Sequence, residues 1–116
     1  MDNPASFWDE ARYQRRCAAC GAEDRPFHAH HVVDRQELKR RGAPIFDPRN
    51  ALRLCDDIER NRRCHLNFEY AGLPVALTAL TDDNIAFAFE VLGDFAPDYL
   101  RERYTGEDER LSTAVL

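Results

Sequence analysis

The chain has 116 residues, of which 44% are hydrophobic, and this fits one domain with a modest core. Domains of this size often recruit a metal or disulfides to fold. No stretch approaches the roughly 20 uninterrupted apolar residues of a membrane span, and the N-terminus lacks the basic and apolar regions of a signal peptide. We therefore expect a cytoplasmic protein with no membrane segment, whose four cysteines bind metal or stay reduced.

The net charge of −5 is unevenly distributed along the chain. Residues 1–66 hold 13 Lys and Arg against 11 Asp and Glu, whereas residues 67–116 hold 3 against 10. A basic surface on the first part could meet phosphate while the acidic second part stays away from it, since binding responds to local potential as well as to total charge. The overall acidity therefore does not exclude a nucleic-acid partner.

The N-terminal residues predict a helix followed by a strand. The helix is expected to begin at the capping-box pattern of Ser6 and to run to about Arg16. The strand covers residues 26–33, which are rich in β-compatible side chains. Because side chains alternate along a strand, His28 and His30 should share one side while His31 points to the other.

A polar, arginine-rich connection leads to a second strand and a helix. Residues 36–41 predict a helical turn, and residues 51–54 predict a short strand that delivers the chain to Cys55. A helix of about ten residues is expected next, with Asn61 as its cap and Gly72 at its end. Strand, loop, strand and helix together make a ββα unit.

The C-terminal part predicts two more helices. After an apolar stretch over residues 73–80, Asp82 or Asp83 can cap a helix that runs to Leu92 and stops at Gly93, and a last helix should span Pro97 to Tyr104. Apolar residues cover much of the first of these helices, so it should pack onto the first half of the chain or onto a second subunit. We expect a single domain over residues 1–116, with a core at about 17–72 and a helical extension at about 73–110.

The four cysteines favour a structural zinc site. Cys17 and Cys20 have the C-x2-C spacing with which a tight turn offers two thiolates to one tetrahedral zinc. Cys55 and Cys64 form a second pair at the longer C-x8-C spacing, so residues 56–63 must bulge out as a loop. The alternatives are ordinary buried thiols or a disulfide formed on oxidation.

The histidines suggest a second, open metal site. Adjacent His30 and His31 can take different tasks, one holding a divalent cation and the other accepting a proton from water. His65 and Glu69 lie four residues apart on the predicted helix, hence on one face, and can offer a nitrogen and a carboxylate to the same cation. A surface histidine near a carboxylate is the alternative interpretation of that pair.

Taken in chain order, these motifs resemble the HNH endonucleases, specifically the small zinc-containing kind found in phages. The resemblance extends over residues 17 to about 70 and is carried by the cysteines, by His30-His31-Val32, by the run from Asn50 to Cys55, and by Cys64-His65. It implies an α+β fold with a small ββα-metal, treble-clef-like core, a structural zinc and flanking helices.

The resemblance also implies a role for each site residue. His31 is expected to be the general base, Asn50 to brace the loop that orients it, and His30 and His65 to hold the catalytic ion. Glu69 falls where many members place a second histidine, so it is the provisional third ligand. His28 matches no role in the family and is expected to be structural or to face phosphate.

The implied activity is hydrolysis of a DNA phosphodiester bond with one divalent ion, which could be Mg²⁺, Mn²⁺, Ni²⁺ or Zn²⁺. Two alternatives are a non-catalytic zinc-binding DNA module and an interaction protein whose C-terminal helices bind phage packaging proteins. A phage-encoded protein would act in the host cytoplasm. Basic residues of the first half are the candidate phosphate contacts, namely Arg35, Lys39, Arg40, Arg41, Arg49, Arg53, Arg62 and Arg63.

Overall fold

The fold was obtained as a computed structural model, in which residues 3–113 are described. The chain combines six α-helices with one two-stranded antiparallel sheet in these residues, which confirms the predicted α+β class. None of the described helices is long and apolar enough to cross a membrane. In chain order the elements are α1 (Pro4–Gln14), β1 (Phe27–His31), α2 (Arg35–Arg41), β2 (Ala51–Cys55), α3 (Cys64–Tyr70), α4 (Asp82–Leu92), α5 (Ala96–Arg103) and α6 (Arg110–Thr113).

The hairpin of β1 and β2 is the centre of the fold. Its register pairs Phe27 with Cys55 at one end and His31 with Ala51 at the other. The predicted alternation holds, because Phe27 and Ala29 pack in the apolar cluster around α1, whereas His28 and His30 contact the rings of α3. The two faces of the hairpin are thus covered by different helices.

Helix α1 covers the first face with a small apolar cluster. Phe7 and Ala11 of the helix are buried against Ala29 and Ala51, whose small side chains let the helix approach closely. The predicted start at Ser6 is wrong, because the Asn3 side chain accepts a hydrogen bond from the Ala5 amide and caps the helix earlier.

The second face belongs to the larger core, to which the C-terminal helices contribute most. Leu52 and Leu54 of β2 join buried residues of α4 and α5, including Phe87 and Leu100. The apolar surface of α4 therefore packs onto the first half of the chain, which is one of the two outcomes that its sequence predicts.

Two further helix starts differ from the sequence predictions. Asn61 does not cap α3, because it adopts a left-handed backbone (φ 54°) in the turn before it, and the helix begins only at Cys64. Helix α4 begins at Asp82, but its cap is Thr81, which exchanges side-chain and backbone hydrogen bonds with Asn84.

Asn84 also ties α4 to the start of β2. Its side-chain amide is fully buried and donates to the carbonyl oxygens of Arg49 (2.8 Å) and Ala51 (3.0 Å). The Ala51 carbonyl also accepts from the Gln14 side chain at 2.8 Å, and each net hydrogen bond of this kind contributes about 1 kcal/mol. A single side chain therefore completes the capping box of α4 and fixes the position of the hairpin relative to that helix.

We expect Asn84→Ala to lower the free energy of unfolding by about 2 kcal/mol, since both carbonyl contacts and the hydrogen bond from the Thr81 amide are lost together. Urea unfolding followed by circular dichroism measures this. Asp83→Ala, an exposed change in the same helical turn, is the matched control and should cost less than about 0.5 kcal/mol. Equal losses in the two variants would contradict the linking role of Asn84.

Candidate functional site

The four cysteines converge on one point. The sulfur atoms of Cys17, Cys20, Cys55 and Cys64 all lie within 4.8 Å of one another, although they come from a knuckle, a strand end and a helix start. The Sγ atoms of Cys20 and Cys55 are 3.8 Å apart, too far for a disulfide bond. Four thiols gathered in this way are a candidate metal centre.

The cluster has the dimensions and chemistry of a tetrahedral thiolate site. Sulfurs bound to one zinc at about 2.3 Å would lie about 3.8 Å from one another, which fits the observed Cys20–Cys55 separation. Burial, together with the neighbouring thiols, raises the pKa of Cys64, so the group stays protonated unless a cation favours its thiolate form. Four cysteines here could therefore hold a zinc ion.

The residues between Cys55 and Cys64 form the loop that their spacing predicts. Asp57 and Arg62 exchange backbone hydrogen bonds, and the chain turns between them. The buried Asp57 carboxylate receives an ion pair from Arg60 at 3.0 Å, which closes the turn. The long C-x8-C spacing is thus accommodated outside the cysteine cluster, and the Cys64 thiol returns to it.

A second cluster of ligating atoms lies between β1 and α3. One atom from each of His30, His65 and Glu69 falls within a group whose members are all within 4.8 Å of one another. Nδ1 of His30 lies 3.5 Å from a carboxylate oxygen of Glu69. Two imidazole nitrogens and one carboxylate could hold a divalent cation and leave coordination positions open for water and substrate.

His30 itself is buried, with only 2% of its surface exposed. Its Nε2 atom lies 3.0 Å from the hydroxyl of Tyr104, and the ring of Phe68 meets it edge-on. Burial lowers the pKa of His30 well below its usual range, and the nearby His65 lowers it further. The ring is therefore neutral at pH 7, which is the form that binds a metal.

His31 lies at the end of β1 on the opposite face. Its Nε2 atom is 2.9 Å from the carbonyl oxygen of Ile45, and its ring stacks on Phe7 at 4.3 Å between centroids. Because a carbonyl can only accept, Nε2 carries the ring proton and Nδ1 is left with a free lone pair. Burial lowers the pKa of His31 to about 4, so the neutral ring is available as a proton acceptor.

Asn50 connects the start of β2 to the chain just after His31. Its fully buried side chain accepts from the amide of Val33 (2.8 Å) and donates to the carbonyl of the same residue (3.0 Å). The backbone carbonyl of Asn50 also accepts from the Val32 amide at 3.0 Å. These three hydrogen bonds join the start of β2 to the backbone just after His31.

One open cavity joins the histidines. It has a volume of about 230 Å³. His28, which has no role in the resemblance, stacks on His65 with 3.8 Å between ring centroids and forms part of the wall. The cavity is lined by His28, His30, His31, Asp34, Arg35, His65, Glu69 and Tyr70.

The predicted phosphate contacts do not share one environment. Arg35 lines the cavity, and Lys39 and Arg62 are exposed. The other exposed or half-buried arginines are ion-paired: Arg40 and Arg41 with Glu37, Arg49 with Asp47 and Glu90, and Arg63 with Asp56.

Arg53 does not fit the predicted role of a phosphate contact. It is only 7% exposed, because strand alternation directs its side chain under α1. Its guanidinium donates to the carbonyl oxygens of Arg12 and Arg25 and lies 4.2 Å from the centre of the Phe27 ring. Arg53 is therefore a structural residue of the hairpin.

The hairpin, the following helix and the two clusters define an α+β module with two groups of side chains that could hold metal ions. Residues 17–61, which are 45 of the 116, match the family model described as HNH endonuclease. The match supports the resemblance of this segment to the HNH endonucleases, and an HNH endonuclease domain suggests nuclease activity. Comparisons with curated proteins and with solved structures give no significant match.

Sequence reasoning missed the contribution of the C-terminal helices to this region. Tyr104 contacts His30, and the hydroxyl of Tyr99 accepts from the Asp34 amide at the start of α2. Both tyrosines lie more than sixty residues beyond their partners in the chain, so no local spacing could connect them. These two contacts can be identified only from the tertiary structure.

We expect Asn50→Ala to loosen the segment after His31, because the Val33 amide and carbonyl lose their partner together. Hydrogen exchange at the Val33 amide should accelerate at least about 10-fold, which corresponds to about 1.4 kcal/mol of lost protection. Asn67→Ala, an exposed asparagine of α3, is the control and should leave this amide unchanged. Unaltered exchange in Asn50→Ala would exclude the bracing role.

Proposed function

We propose that this protein is a metal-dependent DNA endonuclease of the HNH type. The observation that carries the proposal is a single open cavity in which His31 lines the wall beside the cluster of His30, His65 and Glu69. Metal-dependent hydrolysis of a phosphodiester bond uses a proton acceptor next to a cation site. The match of residues 17–61 to the HNH endonuclease family supports the same conclusion.

His31 acts as the general base through its Nδ1 atom. The hydrogen bond from Nε2 to the Ile45 carbonyl fixes the ring, and stacking on Phe7 restricts its rotation. Nδ1 accepts a proton from a water molecule, which then attacks the phosphorus in line with the departing 3′ oxygen. Asn50 holds the backbone around His31 so that this nitrogen keeps its direction.

His30, His65 and Glu69 are the proposed ligands of the catalytic ion. A divalent cation bound by them would supply positive charge to stabilise the phosphoryl oxygens and the leaving oxygen. His65 and Glu69 lie one helical turn apart on α3, and His30 approaches them from β1. Glu69 in place of a second histidine adds a negative charge to the ligand set, which suits Mg²⁺ and Mn²⁺.

DNA phosphates are proposed to contact Arg35 first, since its side chain borders the cavity. Lys39 and Arg62 are exposed and are further candidates for phosphate contacts. The ion-paired arginines contribute less, because each must release a carboxylate before it binds a phosphate. Two acidic residues of the C-terminal part are also in ion pairs. Glu90 pairs with Arg49, and Asp82 pairs with Arg110.

We further propose that the four cysteines hold a structural zinc ion. Zinc would join the knuckle of Cys17 and Cys20 to the end of β2 and the start of α3, and so fix the angle between the hairpin and that helix. The position of His65, which directly follows Cys64, then depends on the zinc. The catalytic cluster is thereby coupled to the structural one.

Zinc quantification tests the structural site. We expect one zinc per chain in the purified protein, and a clear loss in Cys20→Ser, which removes the most exposed of the four thiols. The thermal midpoint should fall with the zinc content. Ala19→Ser is the control, because it adds a hydroxyl to the same knuckle and keeps every thiol. A stably folded, metal-free preparation with four reactive thiols would refute the zinc site.

Plasmid nicking tests the catalytic proposal. We expect wild-type protein to nick plasmid DNA with Mg²⁺ or Mn²⁺, and His31→Ala to cut about 10²- to 10⁴-fold more slowly, since the proton acceptor is lost. Binding of the same DNA, measured by fluorescence anisotropy, should change little. Chelation of the divalent ion should abolish cutting.

The outcomes separate the alternatives. Equal nicking by wild type and His31→Ala, prepared in the same way, would eliminate His31 as the base. DNA binding without any cutting in either protein would identify a non-catalytic DNA-binding module instead.

A further inference from the structure

We propose that Tyr104, at the C-terminal end of α5, is a positioning residue for the catalytic ion. It would hold His30 as the tautomer that carries its proton on Nε2 and keeps Nδ1 free to bind a cation. The inference rests on the proposed function of the His30, His65 and Glu69 cluster, and it adds to that site a residue from outside the family-matched segment.

The directions of the hydrogen bonds around the Tyr104 hydroxyl determine the tautomer of His30. The oxygen of Tyr104 lies 3.1 Å from the carbonyl of Val32 and 3.0 Å from Nε2 of His30. A phenol has one proton, and a carbonyl can only accept, so the hydroxyl donates to Val32. It must then accept from His30, and Nε2 therefore carries the ring proton. Donation to His30 instead would leave two buried acceptors facing each other.

This tautomer determines what the His30 ring presents at its other nitrogen, Nδ1. With its proton on Nε2, the neutral imidazole presents a lone pair at Nδ1, 3.5 Å from a Glu69 carboxylate oxygen. Two acceptors at this distance repel each other unless a positive charge lies between them. Their separation suits two ligands of one ion with bonds of about 2.0–2.2 Å. By fixing this tautomer, Tyr104 favours the binding of a cation between Nδ1 of His30 and the Glu69 carboxylate.

The fold holds Tyr104 firmly enough for this task. Its ring is buried and stacks on Phe68 with 5.5 Å between centroids. The next residue, Thr105, donates its amide to the Val75 carbonyl and accepts from the Leu77 amide. The connection before α4 therefore clamps the chain just beyond the tyrosine, and the hydroxyl is kept in register with β1.

The tautomer of His30 can be measured directly by two-bond ¹H–¹⁵N correlation NMR on protein prepared without added divalent cation. We expect the Nε2-protonated form in the wild type. Tyr104→Phe keeps the ring and its packing but removes the acceptor, so the proton should move toward Nδ1, where Glu69 can accept it. Tyr99→Phe removes another tyrosine hydroxyl from α5 and should leave His30 unchanged.

Cation affinity provides a second readout, using Mn²⁺ as the probe and the electron paramagnetic resonance signal of the free ion. The Kd for Mn²⁺ should rise about 10- to 100-fold in Tyr104→Phe, as expected when the partner of a ligating histidine is lost. The zinc content and the Kd of Tyr99→Phe should match the wild type.

The outcomes are distinguishable. A wild-type His30 protonated on Nδ1, or an unchanged tautomer and Kd in Tyr104→Phe, would overturn the role of Tyr104. If Tyr104→Phe fails to fold, the wild-type tautomer still decides. A wild type that carries the Nε2 proton but binds no Mn²⁺ would refute the proposed cation site, and with it the positioning role, while leaving the hydrogen-bond assignment intact.

Discussion

A two-stranded sheet is only marginally stable alone in water, so the hairpin of β1 and β2 depends on what covers its two faces. Helix α1 covers one face, and α3 with the C-terminal helices covers the other. Because consecutive side chains point to opposite faces, this arrangement gives His30 and His31 different packing partners, although both line the same cavity. One is surrounded by potential metal ligands and an aromatic pair, the other by a backbone carbonyl and Phe7.

Much of this arrangement can be predicted from the sequence, because local rules determine it. Alternation along the strand puts His28 and His30 on one side, and the spacing of His65 and Glu69 puts them on one helical face. The convergence of the cysteines follows from a hairpin that must return to its own knuckle. Each of these features depends on residues a few positions apart or on the pairing of two adjacent strands.

Features that depend on distant contacts could not be predicted in this way. Arg53 looks like an exposed phosphate contact in the sequence, but packing of α1 over the hairpin buries it. Asn61 is missed for a local reason instead: asparagine is a common helix cap, yet the Asp57–Arg62 pairing places Asn61 in a tight turn. The contact of Tyr104 with His30 joins residues 74 positions apart, and only tertiary packing brings them together.

The clamp between Thr105 and residues 75–77 has a consequence for modularity. The family-matched segment ends at residue 61 and contains His31 and Asn50, but His65, Glu69 and Tyr104 all follow it. A graft limited to that segment would transfer the proton acceptor and its brace while leaving behind two of the three proposed ligands and the group that orients the third. Recombination between such proteins should therefore preserve function only when its junctions fall outside the whole span from the knuckle to the clamp.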